Sequence, residues 1–299
     1  MQDEVDALTW YHTVDLGDGR TTPGIYDIRP YLRAYGLPRN LSGKTVLDVG
    51  AASGFFSFEL ESRGAAVTAT DLPAWAAHDF GPLFQPELTG RNAEQYLHAP
   101  FELAHRLRGS GVQRRLLNIY DLSPDNVGTF DLVFCGSVLV HLTDPVRALW
   151  RLRSVTRGAA IISTVIHPVS SPDPLVVFAG HHRGDGWWLP NRTAFEAMIK
   201  SAGFTGWEWF SEFRMDYRNG EPGPYHGVVR AWVSPERPAM LADADSYQFQ
   251  PLNILPAREP DPELDALRAR LSLHESTNYA RLLRWLRPYR EQLRVWFGR

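Results

Sequence analysis

The chain has 299 residues, of which 44% are hydrophobic, and this is enough apolar material for one large domain or two modest ones. Its formal net charge of −3 provides no overall attraction for nucleic acid and disfavours an RNA substrate. A single cysteine, Cys135, excludes an internal disulfide framework and a four-thiolate zinc site. The acidic start lacks a signal-peptide pattern and no apolar run reaches the length of a membrane span, so we expect a cytoplasmic protein.

Residues 1–42 are predicted to form an N-terminal cap. They mix aromatic residues, glycine and proline. Trp10–Leu16 is predicted as a strand or extended segment, and Arg29–Tyr35 as one short helix. Such a leader could cover a functional site or simply pack on the sheet, and the sequence favours neither alternative.

An apolar run that ends in an acid and a glycine-rich turn, Val46–Phe56, predicts a buried parallel strand followed by a helix to about Ser62. This arrangement brings bare backbone N–H groups to the carboxyl edge of a sheet, where nucleotide-like ligands bind. The next predicted strand, Ala66–Thr70, ends at Asp71. An acid about 20 residues after the glycine turn can hold a ribose diol, although a plain turn aspartate is the alternative.

Three further strands are predicted at Leu116–Ile119, Phe130–Cys135 and Ala159–Val165. Residues 72–113 contain several prolines, and they predict two or three short helices at the edge of the site. The regular alternation of strands and helices predicts an α/β fold with a Rossmann-like, doubly wound and mostly parallel sheet.

Residues 166–191 depart from this repeat and are rich in histidine, proline, glycine and tryptophan, so we predict a substrate-facing insertion. A helix is predicted over Arg192–Ser201. Two strands, Trp207–Phe213 and Gly227–Val233, then predict a closing antiparallel pair. The cofactor-binding domain is therefore expected to span residues 43–235.

Residues 236–299 are predicted to be a proline-rich linker and a C-terminal extension of two helices, Glu263–Leu273 and Asn278–Phe297. The second helix has an apolar face opposite several arginines. Packing against the protein itself is the favoured interpretation of such a basic amphipathic helix. A membrane surface, a partner or a homo-oligomer contact are the alternatives.

Several separated motifs follow one another in order between Trp10 and Val233. They are Trp10–Leu16, Leu47–Gly54, Asn118–Leu122, Phe130–Phe134, Val138–Pro145 and Trp187–Asn191. Together they resemble class I methyltransferases that depend on S-adenosylmethionine, and within these the branch of the tRNA wobble-uridine carboxymethyltransferases. In the glycine turn, Asp48 and Ala52 also fit this cofactor better than a dinucleotide, because no phosphate has to be held there.

The resemblance implies S-adenosylmethionine as the cofactor. It assigns the turn after the first strand to the methionine end, Asp71 to the ribose, residues 118–120 to the adenine and Ser137 to the sulfonium side. The predicted cofactor-binding residues are Asp48, Gly50, Ala52, Gly54, Asp71, Leu72, Asn118, Ile119, Tyr120 and Ser137.

Two positions depart from the carboxymethylating enzymes. Those enzymes have a tyrosine before the histidine of the fourth-strand loop and an arginine that opens the last strand, and both help to hold the extra carboxylate of carboxy-S-adenosylmethionine. Here the two positions are Val140 and His226. Without these partners a buried carboxylate would be poorly compensated, at a cost on the order of several kcal/mol. We therefore predict transfer of a plain methyl group.

His141 is the candidate general base, because the unperturbed pKa of histidine, about 6.5, suits this task. A second pool of candidate bases consists of His12, His167, His181, His182 and His226. His141 could alternatively only hold its loop. The predicted acceptor-facing residues are Tyr11, Val140, His167, His181, Trp187, Trp188, Asn191 and His226. The two tryptophans could stack on a sugar or aromatic acceptor, or anchor the insertion.

The leading interpretation is a methyltransferase that acts on a small molecule, by O-methylation of a glycan, glycolipid or secondary metabolite. A tRNA wobble-uridine modifying enzyme is one alternative, and a non-catalytic protein that binds S-adenosylmethionine is another. His181, His182 and Asp185 could hold a divalent ion that binds a sugar diol, but they lack the helical spacing of a ligand pair, and we predict no metal site.

Overall fold

The computed structural model describes residues 2–17, 19–81, 98–180, 186–244 and 247. The chain divides into two compact units, Met1–Leu252 and Asn253–Arg299, and every described residue belongs to the first. The two predicted C-terminal helices therefore lie outside the described residues. Within the described ranges, no helix is both long and apolar enough to cross a membrane.

A seven-stranded sheet with the strand order β3-β2-β1-β4-β5-β9-β8 forms the centre of the first unit. The strands of the chain are β1 (Thr45–Val49), β2 (Ala66–Asp71), β3 (Gln113–Leu116), β4 (Phe130–Gly136), β5 (Thr156–Val165), β6 (Val176–Phe178), β7 (Trp188–Pro190), β8 (Gly206–Arg214) and β9 (Tyr225–Trp232). β1 to β5 run parallel to one another. β9 pairs in the antiparallel sense with β5 on one side and with β8 on the other. The predicted mostly parallel sheet with a closing antiparallel pair is confirmed.

Helices and short 3-10 helices connect the strands. The α-helices among the described residues are α1 (Gln2–Asp6), α2 (Phe55–Ser62), α3 (Ala99–Arg108), α4 (Pro124–Val127), α5 (Pro145–Val155) and α6 (Arg192–Ser201). The 3-10 helices are Arg29–Tyr35, Trp75–Ala77, Ile119–Asp121, Leu139–His141 and Ala239–Ala242.

Successive residues of the central strands belong to two separate apolar clusters, because side chains alternate between the faces of a sheet. Val46 of β1 joins the cluster of the leader, α2 and α3, whereas Leu47 joins the cluster of α5 and α6. Trp10 and Tyr35 of the leader are fully buried in the first cluster. The N-terminal segment therefore packs on the sheet rather than standing apart from it.

One predicted strand differs from the structure. The third strand is Gln113–Leu116 and not Leu116–Ile119, because its partner β2 ends at Asp71, which pairs with Leu116. The side chain of Asn118 then accepts a hydrogen bond from the Tyr120 backbone N–H and starts a 3-10 helix. Of the two alternatives predicted for Trp10–Leu16, a strand or an extended segment, the structure shows the second, with isolated bridges at His12 and Asp15.

The insertion at residues 166–191 contains a two-stranded hairpin of β6 and β7. After β9 the chain stays in the first unit beyond the predicted domain boundary at residue 235. Leu241 is buried in the cluster that holds the leader, and its carbonyl accepts a hydrogen bond from Arg230 at 3.0 Å. Residues 236–244 therefore belong with the core and not with a linker.

Candidate active site

A cleft opens where the chain reverses the order of the strands. From β1 the chain continues outward to β2 and β3, and from β4 it continues the other way to β5, so the loops after β1 and β4 separate. Ligands of doubly wound sheets bind at this point. A cavity of about 160 Å³ occupies it. The predicted site residues that line this cavity are Tyr11, Gly50, Ala52, Asp71, Leu72, Asn118, Ile119, Tyr120, Ser137 and His141.

The turn after β1 needs glycine at two points. Gly50 has φ +77°, and a Cβ atom there would lie 2.4 Å from Cγ2 of Val138 in the loop after β4. Gly54 has φ +90°, and a Cβ atom there would lie 2.5 Å from the ring of Phe58. Gly50 thus forms part of the wall of the cleft. Gly54 does not line the cavity; it precedes α2 and leaves room for the ring of Phe58, which belongs to that helix.

Asp71 is held at the tip of β2 by two backbone donors. The N–H of Ala52 donates to Oδ2 and the N–H of Leu72 donates to Oδ1, both at 2.8 Å. Each carboxylate oxygen keeps a lone pair for a further donor, so one side chain can accept two hydroxyl groups of a diol. Burial raises the pKa of Asp71 against the effect of these donors.

Asp48 lies beneath the turn and does not line the cavity. The hydroxyl of Ser57, on α2, donates to its carboxylate at 2.5 Å. Burial, together with the nearby Asp71, raises the pKa of Asp48 to about 7. Asp48, predicted to bind the cofactor, is therefore buried behind the turn and does not face the cavity. An ammonium group bound on the cavity side of the turn would favour the ionised form of Asp48.

An aromatic wall that sequence reasoning missed follows β2. Trp75, His78 and Phe80 line the cavity, and the rings of His78 and Phe80 stack with their centroids 4.6 Å apart. Their neighbour Asp79 also lines the cavity and accepts a hydrogen bond from the hydroxyl of Tyr120 at 2.7 Å. The sequence signal that could have found these residues is their position shortly after Asp71, the acid predicted to hold the ribose.

The loop after β4 contributes a strained serine and a histidine. Ser137 has φ +59°, and its N–H donates to the carbonyl of Ser163 at 3.0 Å. Ser137 and Ala52, with φ +47°, are the non-glycine residues with positive φ among the described residues, and both line the cleft. His141 ends the 3-10 helix of this loop and lines the same cleft. Backbone strain of this kind concentrates at functional sites.

His12 and His226 are buried away from the cavity lining. Burial lowers the pKa of His12 to about 3, and its ring lies among Tyr11, Phe55 and Phe56. Burial, helped by the nearby His141, lowers the pKa of His226 to about 4. Nδ1 of His226 lies 3.1 Å from the carbonyl oxygen of Pro224, which can only accept, so this nitrogen carries the proton. Both rings are neutral near neutral pH.

The remaining predicted acceptor residues hold the insertion in place. The indole N–H of Trp187 donates to the carbonyl of Asp79 at 2.6 Å, and that of Trp188 donates to the carbonyl of Thr143 at 3.0 Å. Asn191 caps α6 through the N–H of Ala194 and also bonds to the backbone of Leu175 and Asp173. Of the two predicted roles for the tryptophans, the geometry favours anchoring.

Val140 and His167 also lie outside the cavity lining. The carbonyl of Val140 accepts a hydrogen bond from the backbone N–H of Trp187 at 2.8 Å, and the N–H of His167 donates to the carbonyl of Pro190 at 2.9 Å. His181, His182 and Asp185 fall outside the described residues. Within the described ranges, no group of three or more histidine, cysteine, aspartate or glutamate side chains is arranged to hold a metal ion.

A doubly wound sheet whose switch-point cleft pairs a glycine turn with an acid at the tip of the second strand is typical of α/β proteins that bind a nucleoside-containing cofactor. The chain matches a family model described as a methyltransferase domain over residues 25–208, and it belongs to this family. The resemblance to class I methyltransferases that depend on S-adenosylmethionine is thereby confirmed.

Among curated proteins, the chain is 27% identical over 226 residues to the tRNA U34 carboxymethyltransferase of Shewanella loihica. The match covers 68% of this chain and 61% of the relative, so the chain spans about three fifths of the relative's length.

Among solved structures, the chain is similar to the N-terminal domain of EvdMO1 with S-adenosylhomocysteine bound, with a TM-score of 0.56 and 17% identity. A second structure of that domain, in the presence of S-adenosylhomocysteine and D-fucose, has a TM-score of 0.55 and 18% identity. Each match covers 78% of this chain and 95% of the other. At this identity the similarity concerns the fold.

Proposed function

We propose that the protein transfers a methyl group from S-adenosylmethionine to an oxygen atom of a small-molecule acceptor, such as a glycan, a glycolipid or a secondary metabolite. The observation that carries the proposal is that Asp71, Ser137 and His141 line one cleft. A cofactor-type carboxylate and a candidate base therefore face the same space.

The residues of the cleft fit the parts of this cofactor. The carboxylate of Asp71 would hold the ribose diol, residues 118–120 would border the adenine, and the close backbone approach at Gly50 would receive the methionine end. S-adenosylmethionine supplies an electrophilic methyl group. The protein has to hold the acceptor oxygen in line with it, about 3 Å away, and to take up the proton of the hydroxyl. We assign the proton to His141.

A plain methyl group suits this cleft better than a carboxymethyl group. The charged or titratable side chains among its described lining residues are Asp71, Asp79, His78, His141 and the tyrosines, and these include neither arginine nor lysine. At the two positions that depart from the carboxymethylating enzymes, Val140 lies outside the lining and His226 is buried with a lowered pKa. An added carboxylate would therefore meet no permanent cation among the described residues that line the cleft.

Calorimetric titration with S-adenosylmethionine and with carboxy-S-adenosylmethionine tests the cofactor. We expect tighter binding of S-adenosylmethionine, and tighter binding of the carboxylated form would overturn the plain methyl assignment. In assays of S-adenosylhomocysteine release with a panel of hydroxylated sugars and phenols, His141→Gln should lower kcat by about 100-fold. His105→Gln, a histidine outside the cavity lining, is the matched control, and an undiminished kcat in His141→Gln would exclude the base role.

The tRNA-modifying alternative is favoured by the 27% identity to the carboxymethyltransferase and disfavoured by the net charge of −3. Wobble-uridine tRNA binding that weakens steeply with salt would support it, because binding to phosphates releases counterions. A non-catalytic cofactor-binding role would be indicated by tight S-adenosylmethionine binding without turnover on any acceptor.

A further inference from the structure

Asp79 joins its own segment to three others that surround the cleft. It belongs to the segment after β2. Its Oδ2 atom accepts hydrogen bonds from the hydroxyl of Tyr120 at 2.7 Å, from the N–H of Thr143 at 2.8 Å and from the hydroxyl of Thr143 at 2.6 Å. Its backbone carbonyl accepts the indole N–H of Trp187 at 2.6 Å. A single residue therefore holds the adenine side, the loop after β4 and the insertion together.

These contacts separate into two groups by the part of the cleft that they serve. Tyr120 lies on the side assigned to the adenine and lines the cavity. Thr143 follows the candidate base His141 by two residues, and Trp187 directly precedes the second strand of the hairpin. We call residues 139–144 and 186–191 the acceptor rim. Asp79 thus lies between the cofactor side and this rim.

Further hydrogen bonds make the connection stiff. The N–H of Asp144 donates to the Tyr120 hydroxyl at 3.0 Å, and the indole of Trp188 donates to the Thr143 carbonyl at 3.0 Å. The backbone N–H of Trp187 donates to the carbonyl of Val140 at 2.8 Å. The rim is therefore tied to itself, and it is linked to Tyr120 both through the Asp79 carboxylate and through the N–H of Asp144. Burial acts to raise the pKa of Asp79, but the Thr143 and Tyr120 donors outweigh it and hold the pKa below its ordinary value, so the link stays ionised.

We propose that Asp79 is a positioning residue that couples cofactor binding to the order of the acceptor rim. Contact of the cofactor with the Tyr120 side fixes the phenol, the phenol fixes the Asp79 carboxylate, and the carboxylate fixes Thr143 and the hairpin. Occupancy of the cofactor site thereby increases the order of the loop that carries His141. This inference rests on the proposed function, since it requires a cofactor that contacts the Tyr120 side.

Hydrogen–deuterium exchange of the full chain, with and without saturating S-adenosylhomocysteine, tests the coupling. In the native protein we expect this ligand to slow exchange around residue 120 and also in residues 139–144 and 186–190. In Asp79→Asn the ligand should bind about tenfold more weakly, because a charge-assisted contact is lost. At saturation residue 120 should still be protected, whereas the rim should not.

Matched variants separate coupling from general damage. Asp125→Asn makes the same charge change at an exposed position of α4, and it should transmit protection as the native protein does. Trp187→Phe keeps an aromatic ring but removes the donor to Asp79, and it should lose protection of residues 186–190 at saturating ligand. If Asp79→Asn does not fold, Thr143→Val, which removes one of the three donors, decides by the same measurement.

The outcomes distinguish the two proposals. Ligand binding with an unprotected rim in the native protein, or a rim that remains protected in the Asp79 and Thr143 variants, overturns the coupling and leaves the proposed function standing. Failure of the native protein to bind S-adenosylhomocysteine or S-adenosylmethionine overturns the proposed function and the coupling with it.

Discussion

The two sides of the cleft are built in opposite ways. The cofactor edge, which we define as residues 48–54 with Asp71, contains a non-glycine residue with positive φ, Ala52, and two buried carboxylates with raised pKa values. On the acceptor rim, by contrast, Trp187, Trp188 and Asn191 direct their side-chain polar groups to backbone partners. Strain and buried charge reduce stability, whereas satisfied buried hydrogen bonds support it.

Polar and aromatic residue types alone therefore do not reveal function. The cofactor edge keeps groups that a ligand can satisfy, whereas the rim uses its polar groups for its own structure. Substitutions that remove the strain at Ala52 or the buried charge of Asp48 should therefore stabilise the ligand-free protein, and loss of the charge should also weaken ligand binding. Substitutions at the rim should mainly destabilise the protein.

Asn191→Ala is expected to have the largest effect, a loss of about 3 kcal/mol in the free energy of unfolding. The side chain is buried, caps α6 and also bonds to the backbone at Leu175 and Asp173, so its removal leaves several buried groups without partners. Urea denaturation monitored by circular dichroism measures the change.

The control for this variant is Asn40→Ala, at an exposed asparagine whose side chain accepts a hydrogen bond from the nearby N–H of Ser42, and it should change stability by less than about 0.5 kcal/mol. If Asn191→Ala keeps its stability and instead loses acceptor turnover, the sequence-based assignment of Asn191 to the substrate holds and the rim is a binding surface.

The fold and the cofactor edge could be predicted because local patterns determine them. Apolar runs set the central strands, and the glycine turn after β1 with an acid after β2 locates Asp71 in the cleft. The third strand was misplaced, since Gln113–Leu116 at the sheet edge is largely exposed and has no apolar run. Residues 118–120 nevertheless reached the cleft through the following 3-10 helix.

The acceptor side could not be predicted in the same way, because burial and hydrogen-bond partners there come from distant segments. Histidine has the chemistry of a base, but His12 and His226 are enclosed by packing that no local pattern encodes. Asp79 belongs to no sequence motif. The three groups that donate to its carboxylate belong to Tyr120 and Thr143, which lie 41 and 64 residues further along the chain. Tertiary contacts, rather than residue type, assign these roles.

Asp48→Asn should increase the stability of the ligand-free protein in a pH-dependent way. Folding raises the pKa of Asp48 from 3.8 to about 7, so the stability linked to this group is present below pH 3.8 and is lost as the pH rises through 7. Asparagine does not ionise and still accepts the Ser57 hydroxyl. Above pH 7 we expect a gain of about 2 kcal/mol, after the desolvation of the buried amide is subtracted.

Unfolding of the native and variant proteins across this pH range measures the effect, and the gain should decrease as the pH falls below 7 and be lost before pH 3.8 is reached. The same variant should bind S-adenosylmethionine more weakly. Asp125→Asn, at an exposed acid, should follow the native curve throughout. A variant that is less stable than the native protein above pH 7 would contradict a stability cost at the cofactor edge.

Ala52→Gly tests the smallest contribution, the backbone strain of the turn. Ala52 has φ +47°, a region that glycine adopts freely, and a residue with a side chain pays about 1 kcal/mol there. The neighbouring Ala51 is buried and its φ is not positive. We expect Ala52→Gly to stabilise the protein by less than about 1 kcal/mol, and Ala51→Gly to destabilise it by about 1 kcal/mol.

Denaturant unfolding of the two variants measures the sign of each change in stability. Since the two alanines share one turn and one chemical change, only their backbone angles distinguish them. Equal losses in both variants would mean that this turn stores no strain, and the contrast between the cofactor edge and the rim would then rest on the buried carboxylates alone.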